Sequence, residues 1–105
     1  AKKSMFDSVE LFPGMILSNE PGYYKENEYG IRTENLVVIN ENANKKLYFE
    51  TISWCPIDLD LIDSTQLNEI EKEWLNKYHS QVYQKLESFL GDEERNWLKK
   101  VTVKI

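Results

Sequence analysis

The sequence predicts an α+β chain in which antiparallel strands come first and helices follow. Two contrasts and one run of residues predict it. Residues 11 to about 62 are rich in turn signals and short extended segments, whereas residues 63 to 100 carry apolar residues near helical spacing. Within the first part, Leu36-Val37-Val38-Ile39 is a continuous apolar run of the kind found in strands covered on both faces. The division expected is a strand section over 1–62 and a helical extension over 63–105.

Taking the elements in order, Pro13-Gly14 is a turn signal that leads into a short strand from Met15 to Asn19. Pro21-Gly22 interrupts it, and Tyr23-Tyr24 resumes an extended pattern. Lys25 to Glu28 is a polar loop. Gly30 opens a second strand that runs to about Ile39, with Glu34 inside it. Asn40 to Lys46 forms a polar turn, Leu47 to Ser53 alternates as another strand, and Pro56 closes the strand region.

In the second part, Asn68 with Glu71 fits a capping box, and so does Asp63 with Gln66, so the helix start is ambiguous by one turn. Ile70, Trp74, Tyr78, Val82, Leu86 and Phe89 form an apolar stripe along the helix. Such a stripe needs a cover, intramolecular or from a partner. Gly91 suits a helix C-terminus, and Asp92 suits the cap of a short second helix containing Trp97 and Leu98.

Composition narrows the function classes. The 105 residues suit one domain or part of one, with a modest core. A net charge of -5 argues against a nucleic-acid partner, since phosphate binding needs clustered Lys and Arg, and here they only pair, at Lys45-Lys46 and Lys99-Lys100. No apolar run approaches the roughly 18 residues that a membrane span requires, so no membrane partner is expected. Cys55 is the sole cysteine and can make neither an internal disulfide nor a thiolate zinc site, which favours a reducing compartment. The start, Ala1-Lys2-Lys3-Ser4 running into Met5-Phe6-Asp7, reads as a cut within a longer sequence.

Two acids are candidates for chemistry. Glu20 lies where a strand meets the rigid Pro21-Gly22 turn, a suitable place for a cation-binding carboxylate, although Asn-Glu-Pro-Gly is also a common surface turn. Glu34 borders the apolar run, where a bare charge is costly and calls for a partner or a metal. Arg32, two residues earlier, projects from the same face and offers either a simple ion pair or support for a metal ligand. His79, the only histidine, is a packed structural residue on the helix in one reading and a third ligand in the other. Tyr23 and Tyr24 are partly buried aromatics, or a Tyr hydroxyl beside a metal-bound carboxylate that steers protons or substrate. Trp54, Trp74 and Trp97 are core or interface residues.

The stretches Leu11-Phe12-Pro13-Gly14-Met15-Ile16-Leu17-Ser18-Asn19-Glu20-Pro21-Gly22-Tyr23-Tyr24 and Tyr29-Gly30-Ile31-Arg32-Thr33-Glu34-Asn35-Leu36-Val37 closely resemble the last metal-binding section of Xaa-Pro aminopeptidases. These belong to the pita-bread metallopeptidases, and the separation of 14 between Glu20 and Glu34 resembles that of the eukaryotic cytosolic type. The tail, with Glu73-Trp74-Leu75-Asn76-Lys77-Tyr78-His79 and Trp97-Leu98, is similar to the C-terminal extension of that three-domain type.

The resemblance implies the C-terminal portion of a pita-bread fold and a site for two divalent ions, Mn2+ in the usual case, held by two Asp, one His and two Glu. By that likeness Glu20 binds one ion, lies near the attacking water and doubles as general base. Glu34 bridges both ions, Arg32 pairs with a ligating Asp, and Tyr24 lines the site on the departing proline side. The substrate implied is a peptide with N-terminal Xaa-Pro, the whole protein being a cytoplasmic homodimer. Only two of the five ligands match residues here, so the chain alone is expected to be inactive. A pita-bread interaction module without metals and a prolidase- or creatinase-like enzyme are the alternatives. Retention of Glu20, Arg32 and Glu34 speaks against the first, and the Trp-rich tail against the second.

Overall fold

The computed structural model describes residues 9–105, so the reading of the first seven residues as an internal cut falls outside the described part. The chain divides into two compact units between Ser53 and Trp54.

The first unit starts at a tight turn. Pro13 presets its own φ, Gly14 takes φ 90°, and the Met15 N–H donates to Phe12 O at 3.2 Å, which makes a type II turn. The turn delivers the chain into β1 (Ile16–Asn19), followed by β2 (Gly22–Lys25), β3 (Tyr29–Arg32), β4 (Asn35–Glu41) and β5 (Leu47–Thr51). β1, β4 and β5 form an antiparallel sheet in the order β1-β4-β5, and β2 pairs with β3 as a separate two-stranded ribbon. The strand expected from Gly30 to Ile39 is thus two strands, and Glu34 lies in the break between them rather than inside either.

The register explains the break. β1 pairs with β4 up to Asn19↔Asn35, and β2 pairs with β3 from Gly22↔Arg32. Two residues separate the ladders on each side, so the pairing continues in step and sets Glu20 opposite Glu34 and Pro21 opposite Thr33. The Thr33 N–H still donates to Pro21 O at 3.0 Å. Proline has no N–H to return that bond, and two carboxylates facing each other repel, so the regular ladder opens here.

β4 is the central strand, yet its apolar run is not covered on both faces. Val37 and Ile39 are buried, whereas Leu36 is exposed. The run therefore alternates in and out with the pleat, and only one side of the sheet is closed among the described residues.

The second unit resolves the ambiguous helix start. Asp63 caps a 3-10 turn over Ser64–Gln66, accepting from Thr65 N at 3.0 Å. Asn68 and Glu71 form the reciprocal capping box that starts α1 (Glu69–Leu86). A 3-10 turn over Glu87–Phe89 ends that helix, and α2 runs Asp92–Val101. Gly91 is the N-cap of α2 rather than the terminus of α1, and Asp92 is the first helical residue, where its charge favours the positive helix end.

Tyr78, Val82 and Leu98 form the buried cluster of this unit, with Trp54, Ile57, Tyr83, Leu86, Leu90 and Val101 packed on it. The face of α1 that is buried carries Leu75, Tyr78, His79 and Val82, while Ile70 and Phe89 of the expected stripe are exposed. Tyr78 lies between two indoles, stacked on Trp54 at 5.8 Å and on Trp74 at 5.5 Å. Its hydroxyl donates to Cys55 O at 2.6 Å and accepts from Cys55 N at 3.2 Å.

His79 is a structural residue. Its Nε2 accepts the Ile57 N–H at 2.9 Å, so the neutral ring carries its proton on Nδ1, which is buried and without a hydrogen-bond partner among the described residues. Burial pushes the His79 pKa below its ordinary value. The unfolded chain then binds the proton more readily than the folded one, so the stabilisation is complete above the unfolded value near 6.5 and is lost as pH falls below it towards the folded value. Denaturant melts of the protein between pH 8 and pH 5 should show this fall, at no more than about 1.4 kcal/mol per pH unit for one proton. His79→Gln, which keeps an acceptor for Ile57, should flatten it. An unchanged pH slope in that variant would assign the effect to other groups.

Candidate metal centre

The break between the two ladders gathers the acids. Cross-strand partners point to the same face, so Glu20 and Glu34 share a side, and Arg32, two residues before Glu34, joins them. Arg32 Nε lies 3.0 Å from Glu34 Oε2, and Arg32 Nη1 lies 3.8 Å from Glu20 Oε2. One guanidinium therefore spans both carboxylates. Ser18, two residues before Glu20 on β1, donates from Oγ to Glu20 Oε1 at 3.1 Å. Sequence reasoning passed over Ser18, although its i, i+2 relation to Glu20 was a usable signal.

Tyr24 completes the group. Its ring lies along the β2–β3 face, on the diagonal that ends at Arg32. The Glu34 charge first, then the Tyr24 hydroxyl and more weakly Glu20, push the Arg32 guanidinium above its already high ordinary pKa. Four residues that the sequence singled out, Glu20, Tyr24, Arg32 and Glu34, thus meet in one place.

The carboxylates are reachable. The side chains of Arg32, Glu20 and Glu34 are 51%, 49% and 38% exposed. Ion pairs at that exposure add little to folding stability, while opposed acids oppose the pairing of strands. Stability alone does not account for the arrangement. Two hard oxygen donors on one face, oriented by a guanidinium and a hydroxyl, fit part of a divalent-cation site. Among the described residues, no group of three or more His, Cys, Asp or Glu side chains is arranged to hold a metal ion. His79 Nε2 is committed to the Ile57 N–H inside the helical unit.

Residues 2–41 match the model of metallopeptidase family M24, and residues 45–105 match the model of its C-terminal region. The chain belongs to metallopeptidase family M24. It is 43% identical, over 95% of its length, to a probable Xaa-Pro aminopeptidase P of Coprinopsis cinerea and 37% identical, over 92%, to one of Paracoccidioides brasiliensis. Its structure matches the crystal structure of the X-prolyl aminopeptidase of Caenorhabditis elegans with a TM-score of 0.82 and 31% identity, covering 94% of this chain. That protein is described as a cytosolic enzyme with a di-nuclear active site.

The likeness to Xaa-Pro aminopeptidases read in the two acid-bearing stretches is therefore matched by the relatives, and the strand-then-helix fold by the C. elegans structure. The chain spans 17–18% of the length of these relatives and of that structure. No helix among the described residues is long and apolar enough to cross a membrane.

Proposed function

We propose that this M24 chain is the C-terminal part of a dinuclear metal-dependent Xaa-Pro aminopeptidase, and that Glu20 and Glu34 are two of its metal ligands. The observation that carries the reading is the single Arg32 guanidinium held between the two opposed carboxylates. Two divalent ions, Mn2+ by the family likeness, would supply Lewis acidity and lower the pKa of a water when bound.

The chain's own residues do the rest. Glu34 and Glu20 each offer a carboxylate to the site, with Arg32 holding Glu34 Oε2 and Ser18 holding Glu20 Oε1. Glu20 also takes the proton of the attacking water as general base. Arg32 keeps the two acids oriented and offsets their mutual repulsion until cations bind. Tyr24 braces Arg32 and lines the proline side of the substrate. The remaining ligands come from upstream sequence in this reading, so the 105-residue chain alone is inactive. The whole protein is a homodimer in the cytoplasm, acting on peptides and on neither nucleic acid nor membrane. The cytosolic C. elegans neighbour and the names of the fungal relatives support the cytoplasmic location and the Xaa-Pro peptide substrate.

The test uses the full-length protein with Xaa-Pro tripeptides, Xaa-Pro dipeptides and tripeptides lacking proline at the second position. The expected result is release of the first residue from the Xaa-Pro tripeptides, lost on chelation and restored by Mn2+. Cleavage confined to dipeptides would move the assignment to a prolidase-like enzyme, and no cleavage with any divalent ion would favour an interaction module.

A further inference from the structure

We infer that Gly22 and Gly30 are positioning residues, a bare cradle on the β2–β3 ribbon that holds the Tyr24 ring flat so that its hydroxyl braces Arg32 between Glu20 and Glu34. The inference rests on the metal-centre reading above. The register places Tyr24 opposite Gly30 and Gly22 opposite Arg32. All four share one face, with the two glycines on one diagonal and the two long side chains on the other.

The ring covers both glycines. A Cβ at Gly30 would lie 2.6 Å from Tyr24 Cδ1 and 3.0 Å from Cε1. A Cβ at Gly22 would lie 2.8 Å from the Tyr24 hydroxyl oxygen and 2.9 Å from Cε2. Carbon atoms do not approach that closely, so even an alanine at either position must displace the ring. Backbone conformation does not explain the glycines, because Gly14 is the glycine with positive φ among the described residues. Glycine weakens a strand interior, and its use there marks a close approach. What approaches Gly30 most closely is the Tyr24 ring, and at Gly22 the ring is joined by the Ile31 carbonyl oxygen, 3.0 Å from an added Cβ. The ring's other face stays open, leaving Tyr24 64% exposed and free to meet a substrate. The chain of support runs from the two glycines through the ring and hydroxyl to Arg32, and from Arg32 to both acids.

The test is a double-mutant cycle in the full-length protein. Gly30→Ala should lower kcat on an Xaa-Pro peptide by on the order of 100-fold, the cost of a misplacement of about 1 Å, with KM nearly unchanged. In a Tyr24→Leu background, where the added methyl has room, Gly30→Ala should cause no further loss. Equal losses in both backgrounds would overturn the proposal. So would a structure of the Gly30→Ala protein with Tyr24 still on Arg32. If Gly30→Ala fails to fold, recovery of folding in Tyr24→Leu/Gly30→Ala supports the cradle, and failure of both overturns it. Should the unaltered protein cleave no Xaa-Pro peptide, the functional reading falls, while the ring position in the Gly30→Ala structure still decides the cradle.

Discussion

Glu34→Gln in the full-length protein is expected to lower Xaa-Pro cleavage about a thousandfold and to cut bound divalent metal. The substitution keeps the shape of the side chain and removes its charge. A bound ion stabilises charge at the transition state by several kcal/mol, and each 1.36 kcal/mol is a factor of about ten in rate. Loss of a shared ligand forfeits much of that. The fold should not respond, because the Arg32–Glu34 pair is exposed and contributes little to stability. Metal content by atomic emission, thermal melting and steady-state kinetics together separate the cases. Activity within tenfold of the unaltered protein, with its metal retained, would remove Glu34 from the centre.

The largest effect on stability is expected at Tyr78. Tyr78→Ala should destabilise the helical unit by about 3–5 kcal/mol, the range for truncating a buried large aromatic side chain. It deletes the middle ring of the Trp54–Tyr78–Trp74 stack and opens a space beside Val82 and Leu98. Tyr78→Phe isolates the hydroxyl, which satisfies both the N–H and the C=O of Cys55. Leaving those backbone groups without a partner should cost about 1–3 kcal/mol. Urea unfolding followed by tryptophan fluorescence measures both variants. An alanine variant no less stable than the phenylalanine one would mean that the ring itself contributes little.

Some of this was legible in the sequence, for stated physical reasons. The Pro13-Gly14 turn and the Asn68–Glu71 capping box are local motifs, and both formed where their residues stand. The helical face was misread because Ile70, Trp74, Tyr78 and Val82 are spaced by four. At 3.6 residues per turn that spacing drifts by about 40° a step and walks around the helix. Leu75, Tyr78, His79 and Val82 keep to one side, and they are the residues that are buried. The apolar run Leu36–Ile39 looked two-sided because composition does not reveal whether a second layer covers a sheet.

The candidate site followed the same logic. Glu20, Arg32, Glu34 and Tyr24 could be picked out by residue type and by family likeness. That the two acids stand opposite each other depends on strand pairing, a non-local property that becomes visible only when Asn19↔Asn35 and Gly22↔Arg32 are both known. Gly22 looks like part of a Pro-Gly turn and Gly30 like a plain strand start until the Tyr24 ring is seen lying on them.

The unbroken step between the two ladders also bears on how such a site tolerates evolutionary change in length. The interval of 14 between the acids measures twice the arm of a hairpin plus its tip at Glu26–Glu28, not a chemical requirement. Residues gained or lost in matched numbers on both arms would leave Glu20 facing Glu34. A single residue inserted on one side only, between Asn19 and Glu20, would turn one acid away.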